Sequence, residues 1–125
     1  MGICGGCEGP VPLGRAYCSN SCQGAARRRL VVSAWLAGED PGWTGLTVRL
    51  KTAIREYVLD RDGRACVECG WAELHPIDGL PLVEVDHIDG NAANCAPENL
   101  RTLCPNHHAM TPTYGNRNTL SARSR

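Results

Sequence analysis

The spacing of the cysteines leaves this chain few ways to fold. Cys4-x-x-Cys7, Cys18-x-x-x-Cys22, Cys66-x-x-Cys69 and Cys104-x-x-His107 each set two soft donors close together, and only Cys95 stands outside such a pair. Cysteines this near in sequence bridge one another poorly, whereas a turn carrying two thiolates is half of a tetrahedral zinc site. The chain needs such a device. Its 125 residues are 42% hydrophobic but include no Phe, so large core side chains are scarce, and small domains of this kind commonly rely on a metal or a disulfide. Met1-Gly2-Ile3 runs straight into Cys4, so a reducing, cytoplasmic setting is expected rather than a secreted disulfide framework. No apolar run is long enough to span a membrane.

These signals predict a small α+β protein stabilised by zinc. Residues 1–23 read as an amino-terminal unit in which Cys4, Cys7, Cys18 and Cys22 hold one ion, because a segment this short buries no core of its own. Residues 24–63 read as connecting helices. The first is expected from about Cys22 to Ala37, capped by Asn20 or Ser21 and ended by Gly38, with Leu30, Val31, Ala34 and Trp35 on one face. EDPGWTG, residues 39–45, is a linker by composition. The second helix is expected from about Thr47 to Asp60 on the spacing of Leu50, Ile54, Tyr57 and Val58, closed by an Arg61-Asp62-Gly63 turn. Trp35, Trp43 and Trp71 read as packing residues, and His75 as structural or exposed.

A formal net charge of zero argues at first against a nucleic-acid partner, but the charge is unevenly distributed. The stretch from Cys66 to Leu100 carries acids and no Lys or Arg, whereas Arg27-Arg28-Arg29 cluster early and Arg101, Arg117, Arg123 and Arg125 gather late. Such asymmetry is compatible with a basic rim around an acidic, metal-holding centre. The Arg27–Arg29 triplet reads equally well as a solvated face or as phosphate contacts. Residues 119–125 have the composition of a flexible basic tail.

Most of the chemistry lies between Val83 and Met110. The alternating run Val83–Ile88 predicts a strand that delivers Asp86 and His87, a polar loop carries Asn99, and Leu100–Cys104 predicts a second strand. Pro105 stops that strand and suits the first position of a helix, which sets His107 and His108 on its first turn. Cys66, Cys69, Cys104 and His107 then form a four-donor zinc site with no open position, hence a structural one. A competing assignment leaves three thiolates on zinc and frees His107 for chemistry. Asp86 and His108 suit a single divalent cation such as Mg²⁺ or Mn²⁺. His87 is a candidate general base, on condition that the strand ends or kinks at the Asp89-Gly90-Asn91 turn, because neighbours on a strand face opposite ways. Asn99 is suited to bracing the loop and the His87 ring. Cys95 reads as a thiol outside the zinc sites.

The stretch VDHIDGN, the following Asn99 and LRTLCPNHHAMT resemble the signature of HNH endonucleases, whose ββα-metal, treble-clef-like fold carries a His in the first strand, an Asn in the loop and a His in the helix. His87, Asn99 and His108 match those positions. The CxxC…YCSNSCQ front, REYVLDRDGRACVECGW and LCPNHH also look like small HNH proteins of bacteria and their phages, so the resemblance covers nearly the whole chain and makes residues 64–118 the nuclease domain. It implies metal-dependent nicking or double-strand cleavage of DNA that leaves 5′-phosphate and 3′-hydroxyl ends. The chain departs from the pattern at His107-His108, where relatives typically have Cys-His. The rival reading is a zinc-stabilised DNA-binding or phage-packaging accessory module with little cleavage of its own. A third is a nuclease acting on RNA.

Overall fold

The computed structural model describes residues 2–114 and divides into two compact units, Met1–Asp40 and Pro41–Arg125. Arg117, Arg123, Arg125 and the expected tail from residue 119 lie outside the described residues. Among the described residues no helix is long and apolar enough to cross a membrane.

The first unit begins with two minimal antiparallel strands, β1 (Gly2–Ile3) and β2 (Pro10–Val11), that flank the Cys4–Cys7 turn. Cys4 N–H donates to Gly9 O at 2.8 Å and Glu8 N–H to Cys4 O at 3.0 Å. The turn tolerates no side chain at Gly6, where a Cβ would lie 2.6 Å from Cys22 Cβ and 2.8 Å from Cys22 O. Helix α1 (Asn20–Leu36) starts two residues earlier than the periodicity predicts, and its cap is Ser19, whose hydroxyl accepts from Cys22 N–H at 3.2 Å. Asn20 and Ser21 are thus inside the helix rather than capping it. At the other end Gly38 takes φ +79°, and its N–H bonds to Trp35 O.

The apolar face expected on α1 is covered only in part, with Trp35 buried and Val31 and Ala34 half-buried. Leu30 is 69% exposed, while Ala26 and Trp35 are buried. At about 100° per residue those two point to opposite sides of the helix. The amino-terminal turns use one side, where Arg29 Nη2 donates to Gly5 O and Gly6 O of the cysteine turn, and the last turns bury another.

The second unit opens with a hairpin of β3 (Trp43–Thr44) and β4 (Arg49–Leu50). This corrects the reading of 39–45 as plain linker and of Thr47 as a helix start. The hairpin uses the backbone through Lys51, whose N–H donates to Gly42 O, so helix α2 begins only at Thr52 and runs to Arg61. Ile54, Val58 and Leu59 are its buried face, packed on β5 (Glu84–His87) and β6 (Leu100–Leu103). These two strands pair antiparallel, with Glu84 opposite Leu103, Val85 opposite Thr102, Asp86 opposite Arg101 and His87 opposite Leu100. The short helix α3 (Pro105–Ala109) follows directly.

The outer edge of β6 is closed by the chain that follows α2. Asp62 Oδ2 accepts from Thr102 N–H at 3.0 Å, and Val67 N–H donates to Thr102 O at 3.0 Å. Arg61 reaches the carbonyls of Pro97 and Leu100 and also grips Asp62. Burial pushes the Asp62 carboxyl up, but Arg61 and the Thr102 donor outweigh it and hold it below the usual range. Because Thr102 is fully buried, Asp62→Ala leaves a peptide N–H with no acceptor. The expected loss is about 1–3 kcal/mol of stability by denaturant unfolding. A midpoint unchanged from the parent protein would mean that this clasp carries nothing.

Candidate functional site

Each unit brings one set of soft donors together. The sulfurs of Cys4, Cys7, Cys18 and Cys22 all lie within 4.8 Å of one another, and so do the donor atoms of Cys66, Cys69, Cys104 and His107. Cys7 and Cys18 Sγ are 3.7 Å apart, and Cys69 and Cys104 Sγ 3.9 Å. Two thiolates of one tetrahedral zinc lie about 3.8 Å apart, whereas a disulfide requires roughly 2 Å. None of the eight cysteines forms a disulfide. Both groups therefore have the composition and spread of zinc sites.

The electrostatics agree. Peptide N–H groups of Cys7 and Cys18 aimed at Cys4 outweigh its burial and lower its thiol to about 6. At Cys66 burial acts upward, but the N–H groups of Cys104, Cys69 and Glu68 bring the thiol down to about 6. Cys18 is raised instead by the adjoining Cys22 thiol. Cys69 is raised too: the Trp71 N–H lowers it, but burial and the Cys66 and Cys104 sulfurs prevail. Sulfurs that oppose one another's ionisation at such distances are relieved by a shared dication.

The second set is built from local rules. Gly70, at φ +77°, lets its N–H return to Cys66 O at 2.8 Å and closes the Cys66–Cys69 turn. Cys104 is the amino-terminal cap of α3, its sulfur accepting from His107 N–H at 3.4 Å, and Pro105 takes the first helical position. His107 Nδ1 lies 3.3 Å from Cys104 Sγ and 3.7 Å from Cys66 Sγ. Cys66, Cys104 and Leu103 form a buried cluster against which Trp71 packs.

His108 faces elsewhere. Adjacent residues on a helix diverge by about 100°, so the two imidazoles do not share one centre. His108 Nε2 lies 3.6 Å from Asp86 Oδ1, and its Nδ1 lies 2.5 Å from Glu84 Oε2. Glu84 and Asp86 alternate on β5 and so share a face. Asp86 is only 5% exposed, and its Oδ2 accepts from Arg101 Nε at 3.0 Å across the strand pair. Arg101, grouped by sequence with a late basic cluster, thus neutralises a buried acid. The gap between Asp86 Oδ1 and His108 Nε2 exceeds hydrogen-bond reach and leaves a hard oxygen and an imidazole nitrogen facing each other, a donor pair suited to a divalent ion.

His87 is the last residue of β5, so strict strand alternation need not hold there. Its Nε2 lies 3.4 Å from Cys95 Sγ, and Cys95 is buried and also donates to Ala92 O. Gly90, at φ +76°, returns its N–H to His87 O, which turns the chain sharply after the strand.

Asn99 is committed to the intervening loop. Its Oδ1 accepts from Asp89 N–H at 3.1 Å, and its Nδ2 donates to Asp89 Oδ1 at 2.9 Å and to Asn94 O at 2.7 Å. Asp89 Oδ2 accepts from Asn94 Nδ2, and burial of this carboxyl is outweighed by the donors of Asn94, Asn91 and Asn99, which keep it below its ordinary range. Asn99 O also accepts from Ile88 N–H, so both strand ends are tied to one amide residue.

Sequence reasoning missed Glu84, Arg101 and the Cys95 contact. Glu84 was open to detection, because the Glu-x-Asp alternation places both acids on one strand face. Arg101 and Cys95 required the register and the loop path. His75, as expected, takes no part: its Nδ1 accepts from Ile77 N–H in an exposed turn.

A family model described as HNH endonuclease matches residues 76–110. The H-N-H endonuclease F-TflIV of Escherichia phage T5 is 46% identical over 56 residues, covering 42% of this chain and 22% of that protein. A probable HNH endonuclease of Lactococcus phage SK1 is 32% identical over 65 residues, covering 50% of this chain and 69% of that protein. The match therefore spans less than a quarter of the T5 protein and about two thirds of the SK1 protein. No solved structure gives a significant match.

Proposed function

The chain belongs to the HNH endonuclease family, and on that premise we propose that it is a metal-dependent DNA endonuclease in which β5, β6 and α3 form the ββα-metal arrangement. The observation that carries the reading is the approach of the buried Asp86 carboxylate to the His108 imidazole, on a strand pair and helix held beside the Cys66, Cys69, Cys104, His107 group.

Asp86 and His108 would hold one Mg²⁺ or Mn²⁺. When bound, such an ion polarises a phosphate and stabilises a departing 3′ oxygen. Arg101 holds Oδ2 of Asp86, which leaves Oδ1 facing His108. His87 acts as general base and takes a proton from the water that attacks phosphorus, and the proton stays on the imidazole as the P–O3′ bond breaks. Asn99 positions rather than reacts, since an amide does not titrate and its hydrogen bonds already hold the loop that carries the chain away from His87. The two cysteine groups would each hold a Zn²⁺ through four protein donors and so serve as scaffold.

Incubation of supercoiled plasmid with the full chain and Mg²⁺ or Mn²⁺ tests this reading. Conversion to nicked or linear DNA is expected, abolished in Asp86→Ala and in His108→Ala. Absence of conversion with either metal would remove the endonuclease assignment, and DNA binding without cleavage would favour an accessory module of a packaging complex. Single-stranded RNA cut faster than plasmid would change the substrate class.

A further inference from the structure

Glu84 is a side chain for which the chemistry above has no use, yet it makes the closest polar contact in the site. Its Oε2 lies 2.5 Å from His108 Nδ1, while Nε2 of the same ring faces Asp86 Oδ1 at 3.6 Å. An imidazole nitrogen at hydrogen-bond distance from a carboxylate carries the ring proton, so the lone pair of the neutral ring sits on Nε2, the side of Asp86. The ring is held from a further side as well. Tyr114 meets His108 edge to face, with centroids 5.1 Å apart and planes at 78°. Arg101 holds the other oxygen of Asp86, so both residues facing the gap have their second polar atom engaged by a dedicated partner.

We propose that Glu84 is a positioning residue, which fixes the tautomer and tilt of His108 so that Nε2 is presented, together with Asp86 Oδ1, to a divalent cation. This rests on the reading of Asp86 and His108 as the cation's ligands. The role suits the location of Glu84, which shares a strand face with Asp86 and is half-exposed, so that replacing it leaves the packing of the strand pair intact. A merely decorative ion pair at the surface would have no effect on cation affinity.

Mn²⁺ binding to the full chain, followed by the electron paramagnetic resonance signal of the unbound ion, separates the possibilities. Glu84→Ala is expected to weaken Mn²⁺ binding about 10- to 100-fold, the usual effect of removing a carboxylate behind a ligating histidine. Glu84→Gln, whose amide oxygen accepts the same hydrogen bond without the charge, is expected to fall between Glu84→Ala and the parent. The Mn²⁺ concentration that half-saturates plasmid cleavage rises in the same order, with the zinc content of all variants unchanged. Parent-like Mn²⁺ affinity in Glu84→Ala alongside lost binding in His108→Ala overturns the positioning role and leaves the ligand reading standing. Parent-like affinity in Asp86→Ala and His108→Ala as well overturns the ligand reading and the role of Glu84 with it.

Discussion

His87→Ala is expected to slow divalent-dependent plasmid cleavage by about 10²- to 10⁴-fold, the range that a positioned general base contributes. That corresponds to roughly 3–5 kcal/mol of activation free energy. The loss belongs to the chemical step. His87 lies at the end of β5 and is not among the donors of either cysteine group, so zinc content, Mn²⁺ affinity and the unfolding midpoint should all stay close to the parent values. Comparison with Asp86→Ala sharpens the assignment, because that change removes a buried carboxylate, breaks its bond to Arg101 and lowers Mn²⁺ affinity along with the rate. Equal cleavage by His87→Ala and the parent would rule out His87 as the base and turn attention to its Cys95 neighbour.

Cys104→Ser should have the largest effect on stability. Cys104 belongs to the second donor set, caps α3 and lies in the buried cluster with Cys66 and Leu103. Helix α3 has five residues, none of them buried, so neither its length nor an apolar face maintains it. Structural zinc contributes on the order of 10 kcal/mol to folding in small metal-dependent domains, as much as a typical domain's whole stability. Removal of one thiolate should therefore lower bound zinc from two per chain to one by elemental analysis. It should also abolish cooperative unfolding of the second unit and with it cleavage. A strong zinc chelator should reproduce the loss in the parent protein. Two retained zincs with an unchanged melting curve would show that Cys104 is not a ligand.

The donor groups were legible because zinc ligation is local chemistry: a CxxC turn brings two sulfurs to one side whatever the rest of the chain does. The order strand, loop, strand, helix was legible for similar reasons, since alternation from Val83, the break at Pro105 and the cap at Cys104 act within a few residues. The failures share a different origin. Periodicity puts Leu30 on one face with Trp35, yet Leu30 is exposed, because α1 buries different sides at its two ends. Thr47 was assigned to a helix whose first residues the β3–β4 hairpin instead uses for its own backbone bonds. In both cases tertiary partners overrode a local pattern.

The sequence by itself therefore determined the inventory: two four-donor groups, an Asp-His pair at a strand end, a loop amide and a second imidazole on a helix. Tertiary structure alone decided which of them face one another. His107 turns to the thiolates and His108 to Asp86 because successive helical residues diverge by about 100°, and the docking of α3 against the strand pair sets the phase. Arg101 reaches Asp86 because the antiparallel register sets them opposite, and Glu84 reaches His108 because it shares Asp86's side of the strand. Spacing along a chain encodes which groups are neighbours within a turn. Their partners across a register depend on how separate segments pack, which no single segment specifies.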